Sequence, residues 1–146
     1  MGWRLGFAAI AVLSACNGDG GGDAADAGST TSIEMEPLEI IGQWDDDISG
    51  MHDISDTRWV QAFDPEVYTY FINYYDNDLE FLVARVANDM TYSKLEWAYV
   101  GEQLYYCHTV RMQPTAVAAE VGGEADRSAP ASGGCVGVAW VPLTPQ

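Results

Sequence analysis

The chain has 146 residues, and its 22 acidic and 6 basic side chains give a net charge of −16 at pH 7. Such a chain has no basic face for a phosphate backbone, which excludes nucleic acid as a partner, and charge cannot draw it to an anionic membrane; a cation or a basic protein is permitted. The length suits one domain with a real core, preceded by a short leader.

That leader comes first. Arg4 precedes an apolar run from Leu5 to Leu13, and the small residues Ser14 and Ala15 follow. Residues 1–15 therefore read as a secretory signal peptide. The run is about half the roughly 20 residues that a membrane-crossing helix needs. Leu13-Ser14-Ala15-Cys16 resembles the bacterial lipobox. The resemblance implies cleavage before Cys16, lipidation of its sulfur, and anchoring in the envelope of a Gram-negative bacterium. With Asn17 rather than Asp next, it implies the outer membrane, on its periplasmic or surface face. Two or more acyl chains hold a protein on a membrane where one does not, since each buried methylene contributes about 0.8 kcal/mol. Loss of Arg4 would leave five basic residues against twenty-two acidic ones, a net charge of −17.

Residues 16–32 follow the signal as lipidated Cys and linker: five Gly, three Asp and three Ala over 17–32 give nothing to bury. Such composition predicts a flexible leash with a reach of roughly 20–25 Å. Residues 33–146 are then a single domain.

Period-two alternation runs through this domain. Strands are predicted in EIIGQW (39–44), MHDIS (51–55), YTYFINYY (68–75), LEFLVARVA (79–87), KLEWAYV (94–100), LYYCHTVR (104–111) and CVGVAWVPL (135–143). Ser49-Gly50, Asp76-Asn77-Asp78, Asn88-Asp89 and Gly101-Glu102-Gln103 read as the turns between them. Tyr68, Tyr70 and Tyr74 are expected on one side of their strand, with Phe71 and Tyr75 on the other. Residues 113–134 break the pattern as a helix/loop excursion: Pro114 opens a short helix through Val121, which Gly122-Gly123 stops. With Cys16 lipidated, Cys107 and Cys135 are left to pair, and export favours the disulfide; it would clip the excursion at its base. The fold class is all-β: an antiparallel meander forming a small closed or partly closed barrel, with a two-sheet sandwich as the competing architecture.

Gly42-Gln43-Trp44, with the meander, resembles the first motif of the lipocalins and related calycins. That resemblance implies an eight-stranded barrel for a small apolar ligand, with Trp44 packed across the closed end against an Arg from a late strand, here Arg111. The linker, Gly42 to Trp44, Leu104 to Cys107 and Cys135 to Trp140 together resemble a group of small Gram-negative lipoproteins, which brings no activity with it. A small acidic lipoprotein with a barrel and one disulfide also resembles, in build, bacterial inhibitors of lysozyme or proteases.

Among residues that could carry chemistry, Asp45, Asp46 and Asp47 offer hard oxygens for Ca²⁺, but the spacing is not that of an EF-hand and a solvated acidic turn accounts for it. His52 and His108 lie in no metal-binding spacing. No catalytic signature frames a Ser, a Cys or a pair of carboxylates, so no enzyme class is indicated. If the barrel is hollow, inward-facing Trp97, Tyr99 and Trp140 would line a binding site; otherwise they fill the core. The reading is a membrane-anchored binding domain for a small ligand, glycan or protein, with an inhibitor of a basic enzyme (lysozyme or protease) as the alternative and an enzyme of unknown class as a second.

Overall fold

A computed structural model describes residues 36–146; the signal peptide, Cys16 and the linker fall outside the described residues. Ten strands and one helix follow in order: β1 (Gly42–Asp46), β2 (Met51–Ile54), β3 (Arg58–Phe63), β4 (Glu66–Asp76), β5 (Phe81–Val86), β6 (Tyr92–Val100), β7 (Gln103–Gln113), α1 (Ala116–Glu120), β8 (Gly134–Cys135), β9 (Val138–Ala139) and β10 (Val141–Pro145). Eight of the strands close a barrel in the order β1-β10-β7-β6-β5-β4-β3-β2, all neighbours antiparallel. Closure leaves no barrel edge for another chain to extend. The barrel expected from the alternation is thus present and fully closed.

Its inner face is set by the pleat. Trp59, Tyr70, Leu82, Ala84, Leu95, Trp97, Leu104, Tyr106 and Leu143 point inward and form one core. Leu38 and Ile40, from the segment before β1, join that core from one end and plug it. Tyr75 fixes this plug by donating to the Glu36 carbonyl at 2.6 Å.

Three details depart from the predicted elements. β3 lies outside the predicted elements, because Gln61 occupies one of its inward positions and breaks the apolar alternation. The stretch 135–143 is not one strand: Val136 (φ 49°) and Gly137 (φ 90°) turn the chain between β8 and β9, and β10 begins afresh. In β4 the register shifts between Ile72 and Tyr74, so the expected grouping of Tyr68, Tyr70 and Tyr74 does not hold. Ile72 and Tyr75 pack on the interior, whereas Tyr74 bonds outward to Glu120 at 2.7 Å.

The excursion forms a strap over the outside of β5, β6 and β7. The Thr115 hydroxyl caps α1 by accepting from Ala118 N at 3.1 Å, and α1 lies over those three strands. Gly122 ends the helix where a Cβ would stand 2.9 Å from a Val110 methyl, so only glycine allows this approach. Cys107 and Cys135 are disulfide-bonded, with Cα atoms 5.4 Å apart, and tie β8 to β7. The bond packs with Ala98 and Trp140 in a second small core, outside the barrel and beneath the strap.

Candidate functional site

Among the described residues, the barrel core around Trp59, Trp97, Leu82 and Leu95 encloses no chamber. A void wide enough for water would leave accessible area on its walls, yet Trp59, Trp97, Leu82 and Leu95 have none (0% exposed). The inward aromatics are therefore packing elements.

One buried polar chain runs through this core. His52 Nε2 lies 3.1 Å from an Asp46 carboxylate oxygen, and Trp59 Nε1 donates to His52 Nδ1 at 3.0 Å. An indole can only donate, so Nδ1 must accept and Nε2 carries the proton that His52 donates to Asp46. Burial holds the His52 pKa below its usual value, against the opposing pull of Asp46. The other Asp46 oxygen accepts from Ile48 N at 3.0 Å and from Gly50 N, which braces the β1–β2 turn. An Asp–His pair of this kind activates a nucleophile when the second ring nitrogen faces one. Here that nitrogen is taken by Trp59 and the ring is 1% exposed, so the pair serves to fix the core.

His108 also faces inward, with its ring 5.5 Å from that of Tyr70. Its Nε2 is buried without a hydrogen-bond partner, as is the Gln61 Nε2. Burial, aided by the charge of Arg111, depresses the His108 pKa to about 3.

The most elaborate polar arrangement lies outside the barrel, under the strap. Lys94 and Glu96 project from the outer face of β6, as their alternation with Leu95 predicts, but the strap buries both. Lys94 Nζ is 3.2 Å from Glu96 Oε1, donates to the Gly123 carbonyl at 2.8 Å, and sits over the Phe81 ring at 5.1 Å. The other Glu96 oxygen takes Arg127 at 3.0 Å, and the Ala125 amide donates to the same carboxylate at 3.2 Å. Arg127 also reaches the Leu79 carbonyl at 2.8 Å and the Glu80 carboxylate at 3.5 Å. A buried carboxylate is tolerable only with partners of this number. Beside the network opens a cleft of about 380 Å³, walled by Leu79, Phe81, Lys94, Val121, Glu120 and Glu124. Burial and the hydrogen bond to Glu120 raise Tyr74 at its edge to about 12.

The structure scatters the residues expected to line one site. Trp97 is inside the barrel, its indole donating to Glu39 of the plug. Tyr99 stands at the rim, 44% exposed. Trp140 is outside, donating to the Asp126 carbonyl at 3.1 Å beneath the strap. Its neighbour Val141 takes the inward position, so Trp140 points away. The shared inward lining is therefore corrected.

The expected pairing of Trp44 with Arg111 is corrected too. Trp44 pairs with Pro145 and Leu143 with Leu104, which places Trp44 level with the first residues of β7. Arg111 lies near the other end of β7 and is exposed. Trp44 does pack on the core near the plugged end, donating to the Ile40 carbonyl at 3.1 Å. Asp45, Asp46 and Asp47 do not converge, because Asp46 turns inward and its neighbours outward; Asp45 accepts from Gln146 at 2.7 Å. Among the described residues no three His, Cys, Asp or Glu side chains are grouped to hold a metal ion.

Compared with known proteins, the chain matches no protein-family model, no curated protein and no solved structure.

Proposed function

We propose that this chain is an exported lipoprotein, anchored through Cys16 at the outer membrane, whose barrel is a recognition module working through its outer surface. The observation that carries this reading is the filled interior: Trp59, Trp97, Leu82 and Leu95 leave no chamber, so a partner must be met outside. The charge supplies the kind of partner. Among the described residues eighteen acidic side chains stand against five basic ones, and Arg58, Lys94 and Arg127 are already paired with acids. The acidic field left over steers a basic protein toward the barrel and speeds encounter. An inhibitor of a basic enzyme such as lysozyme or a cationic protease fits this description. The strap cleft of about 380 Å³ supports a second reading, a small polar ligand or glycan bound beside Lys94 and Glu96.

The test is a panel of basic enzymes assayed with the purified protein across a salt series. Inhibition that weakens as salt rises supports the leading reading. Binding whose affinity is flat with salt refutes the electrostatic basis. Incorporation of labelled palmitate by the wild type and its absence from Cys16→Ser tests the anchor separately.

A further inference from the structure

Among the described residues the strap covers β5 to β7 and no segment covers the outer face of β1 to β3 and the start of β4, whose side chains form an ordered pattern. One row across the ladder reads Asp45, Met51, Ala62, Val67, each paired with the next. The adjoining row reads Gln43, Asp53, Val60, Thr69. The pleat turns these side chains outward while His52, Trp59, Gln61 and Tyr70 turn inward, so Met51 and Val67 stand 56% and 57% exposed. Two shallow depressions flank Met51 and Ala62, of about 170 Å³ toward Val60 and about 240 Å³ toward Pro65 and Val67. Exposed apolar surface that is contiguous and rimmed by polar groups marks an interaction site. The rim here is acidic: Asp45 belongs to the first row, and Asp64 and Glu66 line the second depression. Asp53, in the second row, is neutralised by Arg58, whose guanidinium lies 3.3 Å away.

We infer that this face, centred on Met51, Ala62 and Val67, docks the basic partner through an apolar centre ringed by lysine or arginine. An apolar stripe alone names no occupant; its carboxylate rim selects a cationic one. It also disfavours a second copy, whose identical rim would oppose it charge for charge. Strand addition is unavailable because the barrel is closed. The core-and-rim division follows that of protein interfaces, where a desolvated centre carries affinity and charged edges set encounter rate and selectivity. The inference rests on the reading of the barrel as a surface-recognition module.

The experiment uses the Cys16→Ser chain, isotope-labelled for NMR, and two synthetic peptides of equal charge, one alternating Lys with Leu and one alternating Lys with Ser. The Lys/Leu peptide is expected to give saturable shifts confined to β1–β3, the 63–67 turn and the start of β4. Met51→Glu should weaken it about tenfold, the effect of removing a central apolar contact. Tyr99→Glu, an equal charge change at the plugged rim, should leave the affinity within about twofold, since it lies outside the centre. The Lys/Ser peptide should bind diffusely and be lost in about 0.5 M salt, where screening acts within a few ångströms. Saturable shifts centred on the strap cleft overturn the face and spare the module. Absence of saturable binding anywhere overturns both. Wild-type affinity in Met51→Glu, protection of Met51 by residues 17–35 of the same chain, or a dimer through this face also overturns the proposal.

Discussion

Replacing His108 by Phe gives a sharp test of the interior as described. His108 is half-buried beside Tyr70, its buried Nε2 has no partner among the described residues, and its pKa is depressed to about 3. The unfolded chain returns it to its usual value of about 6.5. Because the folded state holds the ring neutral, protons bind the unfolded state more readily over this interval. The contribution to stability is complete above about pH 6.5 and is lost as pH falls toward 3. At pH 5 the loss relative to pH 7.5 amounts to about 2 kcal/mol, from linkage between those two values. Phe keeps the ring contact, forfeits no hydrogen bond at Nε2, and cannot titrate. Urea unfolding at pH 7.5 and pH 5 measures both proteins. The variant should equal or exceed the wild type at pH 7.5 and should lose about 2 kcal/mol less than it does on going to pH 5. Equal losses, or a larger loss in the variant, would refute the assignment of His108 as a group the fold holds neutral.

Two other predictions concern the strap. Cys107→Ala with Cys135→Ala opens a loop whose ends are 28 residues apart, and urea unfolding should show about 3–4 kcal/mol less stability; an unchanged midpoint would mean that the strap is held without the bond. Glu96→Gln leaves Lys94 and Arg127 without their common carboxylate, which should cost about 3–5 kcal/mol and speed proteolysis between 121 and 133. Restoring an apolar pair with Lys94→Met and Glu96→Leu should recover much of that loss, and failure of both effects would show that the network is incidental.

Much of the scaffold could be read from the chain because its information is local. Leu95 and Trp97 alternate with Lys94 and Glu96 in a period that only a strand satisfies, and turn residues mark most of the bends. The helix is legible from Pro114 and Gly122, and the disulfide from Cys107 and Cys135, the two cysteines that fall within the domain. What the pattern does not show is what lies opposite a given face. Alternation puts Lys94 and Glu96 on the outside of β6, where solvent is the default; burial comes from the strap, which arrives from residues far along the chain. Trp140 is misplaced for a related reason, since its strand begins after it and the turn at Val136 and Gly137 resets the phase. A bulge likewise moves Tyr74 to the outside, and Gln61 hides β3 by taking an interior position. The docking face could not be seen either: Met51, Ala62 and Val67 are distant in sequence and become one row only through the β2–β3–β4 register.

If the barrel is solid, recognition belongs to its outer surface. This is tested most directly by titrating the Cys16→Ser chain with a medium-chain fatty acid while following the methyl resonances of Leu82 and Leu95 and the indole resonance of Trp97. All three should stay fixed at saturating ligand. Saturable shifts at all three, as a ligand enters the core, would contradict a solid barrel.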